Sequence, residues 1–213
     1  MTEKNQKYTT MYHFTSTIGW KGMNEGKPDI LYSDPKTGEL IEGEQIRGLW
    51  PERRLIPIGI ESSLVPHEAT KPTIFSFLEE KPKSWIEYTH FSLNLFDFLL
   101  AHCAKYSEDK IRNIVLLKID LIPEDDPYVI EYQHMTDLNN NYEKIDNKKE
   151  REKNKNRMIA EANKKYWESR TPLREYNGNF TLPEIIITTP IPLERIHFIW
   201  KKELYDYLSE VHR

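Results

Sequence analysis

Residues 182–200 read LPEIIITTPIPLERIHFIW, and this stretch decides the fold class. Two runs rich in β-branched residues flank the turn TTPIP, which is typical of two β segments joined by a short connection. Before this stretch in the sequence, residues 111–121 (IRNIVLLKIDL) predict another strand. Residues 127–132 (PYVIEY) either continue that strand or pair with it. Further strands are predicted at residues 8–15 and 73–78, and residues 55–60 form a short apolar run.

Helical patterns are interspersed among these strands. Residues 93–106 have helical periodicity, with one apolar stripe made of Leu93, Phe96, Leu100 and Cys103. Residues 147–169 form a long charged segment without Gly or Pro, and residues 201–213 predict a terminal helix. Because strands and helices do not alternate regularly, the order favours an α+β fold over a doubly wound sheet. We expect a single domain over residues 1–213.

Composition narrows the functional classes. The chain has 213 residues, 30% of them charged, and a net charge of −4, so it has no overall basic field for nucleic acid. No apolar run approaches the roughly 20 residues of a membrane span, and the polar start lacks a secretory signal. Cys103 is the single cysteine and has no disulfide partner, so we expect a small buried side chain and a cytoplasmic protein. The lysine-rich residues 144–165 predict either a solvated helix face or a contact with nucleic acid.

Three short segments carry residues suited to chemistry. They are residues 12–16 (YHFTS), residues 73–77 (TIFSF) and the segment in which Glu184 begins a run of three isoleucines. Each also has a structural interpretation: a hydrogen-bonded histidine, an aromatic core strand, and a carboxylate in a salt bridge or at an exposed strand end. A carboxylate beside such an apolar run must reach solvent or a partner.

Taken in order, these segments resemble the ADP-ribosyltransferase superfamily, in its branch with a histidine, an aromatic residue and a glutamate. The stretch PEIIITTPIPLERI is similar to the ending of bacterial toxin-like members. The resemblance implies two packed, mostly antiparallel sheets with flanking helices, and NAD as the substrate held in the cleft between them. It calls for no metal.

The resemblance implies a catalytic role for Glu184. Transfer from NAD breaks the bond between nicotinamide and ribose through an oxocarbenium-like transition state. A carboxylate near the 2′-hydroxyl stabilises that transition state more than the ground state.

The resemblance also implies which residues hold NAD. His13 hydrogen-bonds the adenosine-side ribose, and backbone groups near Phe14 hold the nicotinamide amide. A hydroxyl from the following two residues adds to this network, and an aromatic side chain stacks on nicotinamide. The implied set is His13, Phe14, Thr15, Ser16, Phe75, Ser76, Phe77 and Tyr88.

The sequence departs from the family pattern at two places. The middle strand has Phe75, Ser76 and Phe77 where tyrosine is common, so stacking survives but a hydroxyl contact does not. Leu182 stands where arginine-modifying members have Glu or Gln, which leaves nucleic acid, another side chain or a small molecule as the acceptor. The arginine of some nucleic-acid-modifying members corresponds to Arg53 or Arg54. A toxin or phage-defence role, with an antitoxin or immunity partner, follows from resemblance alone.

Other functions stay open. His13-x-Thr15 and His90-x-Ser92 are similar to the paired motifs of two-histidine phosphoesterases, which act on cyclic phosphates. RNA 2′-phosphotransferases use the same fold with NAD, but their Arg-His-x-Arg cluster is not found in this sequence. A third possibility is a non-catalytic interaction module of the same fold, which uses the lysine-rich helix for partner binding.

Overall fold

The computed structural model describes residues 8–26, 47–51, 73–87, 89–90, 93–145 and 147–213, which form an α+β protein. The strands are β1 Thr10–Ser16, β2 Gly48–Leu49, β3 Ile74–Ser76, β4 Thr89–His90, β5 Leu93–Asn94, β6 Asn113–Asp120, β7 Tyr128–Glu131, β8 Thr171–Pro172, β9 Pro183–Ile187, β10 Ile191–Pro192 and β11 Ile196–Glu203. The helices are α1 Thr17–Glu25, α2 Lys83–Ile86, α3 Leu95–Ala104, α4 Gln133–Glu143, α5 Lys148–Glu168 and α6 Leu204–Val211. The apolar run at residues 55–60, Arg53, Arg54 and Tyr88 lie outside the described residues.

The first sheet has the strand order β1–β6–β11, and both pairings are antiparallel. Its central strand is β6, in which five side chains are 0% exposed: Ile114, Val115, Leu116, Leu117 and Ile119. Both faces of β6 are therefore covered, which explains why its sequence is an almost continuous apolar run. The strands predicted at residues 8–15 and 111–121 are confirmed.

The second sheet has the order β3–β9–β7–β8, again antiparallel throughout. The strand β9 lies inside it, with Ile185, Ile186 and Ile187 buried. The two strands predicted within residues 182–200 are confirmed as β9 and β11, but they belong to different sheets. The intervening β10 pairs with β2 instead.

The strand predicted at residues 127–132 is confirmed as β7, but its predicted place as a continuation or partner of β6 is wrong. The strand β7 neither continues β6 nor pairs with it, because it lies in the second sheet between β9 and β8. A 3₁₀ turn at Pro123–Asp125 and a positive φ of 41° at Asp126 redirect the chain between the two strands. The buried Asp125 carboxylate fixes this turn by accepting hydrogen bonds from the Ile122 N–H at 2.9 Å and from Arg195 at 2.7 and 2.9 Å.

Among the described residues, one pair forms backbone hydrogen bonds between the two sheets. The Tyr12 N–H donates to the Phe77 carbonyl at 2.9 Å, and the Phe77 N–H donates to the Tyr12 carbonyl at 2.8 Å. The strand β1 therefore lies next to β3, and β3 lies next to β9. The pair is an isolated bridge, so the ladder between β1 and β3 does not extend beyond it.

Three hydrophobic clusters hold the fold together. The inter-sheet core combines residues of both sheets, including Met11, Leu117, Ile74 and Ile185. The α3 core packs helices α3 and α6 on the outer side of the first sheet, and the α5 core packs α5 on the outer side of the second. Side chains of each strand alternate between the inter-sheet core and an outer core.

The predicted helices at residues 93–106, 147–169 and 201–213 are confirmed as α3, α5 and α6. Helix α3 begins two residues later than its pattern suggests, because the Asn94 side chain caps it by accepting the Asp97 N–H at 2.7 Å. Helix α4 was not predicted, because only three of its eleven residues, Met135, Leu138 and Tyr142, are apolar. No helix in the described ranges is long and apolar enough to cross a membrane.

Candidate active site

His13 lies on β1 at the point where the two sheets separate. Its Nδ1 donates to the Phe75 carbonyl at 2.8 Å, and the Ser76 hydroxyl is 3.4 Å from the same nitrogen. A carbonyl only accepts, so Nδ1 carries the proton and Nε2 of the neutral ring is an acceptor. Burial lowers the pKa of His13, and the hydrogen bond to Phe75 offsets this only in part. The ring is therefore neutral at pH 7.

The imidazole replaces a backbone hydrogen bond between β1 and β3. Alternate residues of a strand point their N–H and C=O groups to the same edge. The Phe75 carbonyl therefore faces β1, as Phe77 does, but its partner is His13. The backbone N–H and C=O of Phe14 face β3, as those of Tyr12 do. We call this interrupted part of the ladder the β1–β3 opening.

Phe14 meets the β1–β3 opening with its backbone and not with its side chain. The Phe14 side chain is 5% exposed and packs into the α3 core, so only its backbone faces the opening. The thiol of Cys103 on α3 donates to the Phe14 carbonyl at 3.6 Å. Cys103 is partly buried beside the α3 core, in agreement with the expected packing role.

Glu184 lies on β9, opposite Ile130 on β7, and is only 6% exposed. The hydroxyl of Tyr166, on α5, donates to Glu184 Oε2 at 2.5 Å. Tyr166 itself is 0% exposed. A buried carboxylate requires such donors, because it has left the water that would otherwise solvate it.

A row of aromatic rings extends from the β1–β3 opening to Tyr166. Phe77 meets Trp85 edge-on with ring centroids 4.6 Å apart, and Trp85 stacks on Tyr132 at 5.7 Å. Tyr132 meets Tyr166 edge-on at 6.2 Å. Trp85 is 0% exposed, and its Nε1–H has no hydrogen-bond partner among the described residues. The row therefore connects the predicted stacking residue Phe77 to the partner of Glu184.

The three predicted segments meet on consecutive strands, but their side chains lie on two faces. His13 and Ser76 alternate with residues of the outer cores and so face the inter-sheet side. Phe75, Phe77 and Glu184 face the outer, helix-covered side. The side chains of the three predicted segments therefore lie near the β1–β3 opening, but on opposite faces of the sheet.

The remaining predicted NAD-binding residues have structural contacts. The Ser16 hydroxyl caps α1 by accepting the Gly19 N–H at 3.0 Å, and Ser16 is 6% exposed. Thr15 is partly buried opposite Val115, on the same side of β1 as His13. Ser16 is therefore already engaged in helix capping, whereas the pairing of Thr15 leaves its predicted role open.

Two residues at this site were given no role in the sequence analysis. One is Tyr166, whose signal is an aromatic pair with Trp167 in an otherwise charged helix. The other is Glu131, 9% exposed, whose carboxylate accepts the N–H groups of Thr181 at 2.7 Å, Leu182 at 2.8 Å and Gln133 at 3.1 Å. An acidic residue at the end of the apolar run PYVIEY was the only hint of its role.

The two histidine motifs of the phosphoesterase alternative lie in different sheets. His13 is on β1 of the first sheet, whereas His90 is on β4, which pairs only with β5 among the described strands.

Comparison with known proteins identified no relative. No protein-family model matches the chain, and neither the curated proteins nor the solved structures contain a match.

Proposed function

We propose that this protein is an NAD-dependent ADP-ribosyltransferase with an ADP-ribosyltransferase-like fold. One observation carries the proposal. The histidine, aromatic and glutamate segments are far apart in sequence, but they lie on the spatially adjacent strands β1, β3 and β9. His13 contacts the Phe75 carbonyl across 62 residues, which ties the first segment directly to the second.

The proposed reaction breaks the bond between nicotinamide N1 and ribose C1′. Nicotinamide leaves with the bonding electron pair as a neutral molecule, and an acceptor oxygen or nitrogen then bonds to C1′ and loses a proton. Positive charge develops on the ribose during this step. Glu184 supplies the compensating negative charge, and the Tyr166 hydroxyl fixes one of its oxygens.

The β1–β3 opening provides the complementary groups for NAD. The Phe14 backbone presents one donor and one acceptor, which suit the carboxamide of nicotinamide once the Cys103 thiol has moved aside. The neutral His13 ring presents an acceptor at Nε2 for a ribose hydroxyl. Since His13 and Glu184 face opposite sides of the sheet, NAD must reach both faces to contact both residues.

The test is nicotinamide release from NAD by the wild type and by Glu184→Gln. We expect a rate at least about 100-fold lower in the variant, because the charge that it removes acts mainly in the transition state. NAD binding, measured by calorimetry, should persist. The matched control is Glu194→Gln, which makes the same chemical change at an exposed position.

Equal rates in wild type and Glu184→Gln would contradict the mechanism. Absence of both NAD binding and nicotinamide release, with and without added nucleic acid and protein, would contradict the function.

A further inference from the structure

Helix α5 carries a concentration of positive charge that the rest of the chain lacks. Six of its first ten residues, 148–157, are Lys or Arg and two are Glu, although the whole chain has a net charge of −4. We call residues 148–157 the basic arm. The basic arm has no fully buried residue, whereas the C-terminal part of α5 packs Ala160, Tyr166 and Trp167 against the protein.

The lysines of the basic arm contribute little to the stability of the helix. Lys148 and Lys149 occupy the first turn, where the partial positive charge of the helix dipole disfavours cations. The ion pairs Lys155–Glu152 at 4.0 Å and Arg157–Glu161 at 3.9 Å are exposed and so contribute little. Lys148, Lys149 and Lys153 have no ion-pair partner among the described residues. Their charge is thus available to an external anion.

The basic arm is continuous with the candidate active site. In a helix, residues spaced by three, four or seven lie on one side. This spacing aligns Lys148 and Lys155 with Ala162 and Tyr166. At about 1.5 Å per residue, Lys155 lies about 16 Å and Lys148 about 27 Å along the helix from Tyr166. Two of the cations, Lys148 and Lys155, therefore lie on the side of α5 that carries Tyr166, whose hydroxyl holds Glu184.

We propose that the acceptor of ADP-ribose is a nucleic acid whose phosphates bind along the basic arm. This inference rests on the proposed function and names the substrate of the same site. The phosphates of a nucleic acid match cations that follow one another along a helix. The rest of this protein has a net negative charge, which repels a nucleic acid from its other surfaces. C1′ of the ribose would bond to a nitrogen or oxygen of the nucleic acid as nicotinamide leaves, and the acceptor atom releases its proton to solvent.

The binding test uses fluorescein-labelled 20-nucleotide single-stranded DNA, single-stranded RNA and duplex DNA, measured by anisotropy over a salt series. The variant changes Lys148, Lys149 and Lys153 to Gln. For a single strand, we expect the slope of log K against log salt to become shallower by about 2, because each lost phosphate contact contributes about 0.7. Whichever of the three labelled nucleic acids binds most tightly identifies DNA or RNA as the ligand.

The matched control changes Lys83, Lys105 and Lys110 to Gln, three exposed lysines on the α2 and α3 side of the molecule. We expect its affinity and salt slope to equal those of the wild type. Equal binding by both triple variants, or binding to none of the three nucleic acids, would overturn the inference.

A second measurement separates this inference from the proposed function. NAD labelled in its adenylate phosphate is incubated with the preferred oligonucleotide, and label in nucleic acid is compared with label in added lysate proteins. We expect label in the oligonucleotide, less of it with the basic-arm variant. Nicotinamide release with label only in protein overturns the acceptor and leaves the proposed function intact. Oligonucleotide binding without nicotinamide release overturns the proposed function.

Discussion

At the scale of single residues, the candidate site depends on how buried carboxylates are satisfied. Glu184 and Glu131 are only 6% and 9% exposed, and the carboxylate of each accepts hydrogen bonds. Glu184 accepts a tyrosine hydroxyl, whereas Glu131 accepts three backbone N–H groups. Hydrogen bonds from the protein thus stabilise these carboxylates as water does at the surface, and the loss of a single donor lowers the stability of the fold.

Replacing Tyr166 by Phe tests the partner of Glu184. We expect the free energy of unfolding to fall by about 1–3 kcal/mol, because the buried carboxylate loses a hydrogen bond. Urea denaturation of Tyr166→Phe, Glu184→Gln and the double variant measures the coupling between the two side chains. The control is Tyr205→Phe, at a residue that is 65% exposed. Fully additive effects in this cycle would contradict a direct contribution of the hydrogen bond to stability.

At the scale of secondary-structure elements, Glu131 determines how the chain enters β9. Its carboxylate, at the end of β7, holds the N–H groups of Thr181 and Leu182, immediately before the strand that carries Glu184. The Glu131 N–H also bonds the Ser169 hydroxyl at 3.0 Å, next to the end of α5. One residue therefore connects β7, β9 and α5 around the candidate site.

We expect Glu131→Gln to be destabilised by about 1–3 kcal/mol, because an amide NH₂ must face a backbone N–H that the carboxylate accepted. Urea denaturation gives the stability, and hydrogen exchange of peptides covering residues 177–186 gives the local effect. Glu194→Gln is the exposed control. Wild-type stability and exchange in Glu131→Gln would show that Glu131 does not hold this segment.

Local sequence patterns predicted individual strands and helices far better than they predicted which strands lie next to each other. The apolar run of β6 and the uninterrupted helix α5 follow from their own residues, because burial and helix propensity are local properties. The sequence did not indicate that β7 belongs to the second sheet, since strand pairing depends on contacts between distant residues. The contact of His13 with Phe75 spans 62 residues, and that of Glu131 with Leu182 spans 51. The sequence therefore allowed candidate residues to be proposed, but it did not indicate on which face of the sheet each side chain lies.

At the scale of the whole molecule, the two sheets share one core, although only one backbone pair among the described residues links them. The inter-sheet core contains buried residues of β1, β6 and β11 from one sheet and of β3, β7 and β9 from the other. Separating the sheets would expose all of these side chains at once, at about 25 cal/mol for each Å² of apolar surface. We therefore expect the described structure to unfold as one cooperative unit.

Replacing Leu117 by Ala tests this cooperativity. Leu117 is 0% exposed on the central strand β6, so its truncation should lower the free energy of unfolding by about 2–5 kcal/mol. Tryptophan fluorescence and far-ultraviolet circular dichroism should follow one shared urea transition. Ile111→Ala, at a residue that is 53% exposed, serves as the control. Two separate transitions would show that the chain contains two domains.

Helix α5 has a mechanical consequence for the candidate site. Its 21 residues span about 32 Å as one rod, with the basic arm at one end and the Tyr166 hydroxyl near the other. A tilt of the arm would therefore displace Tyr166 from Glu184 without any relay through other side chains. If an anion on the arm changes the affinity of the site for NAD, then NAD changes the affinity for that anion by the same factor. The helix would thus act as a lever that links the two ligands.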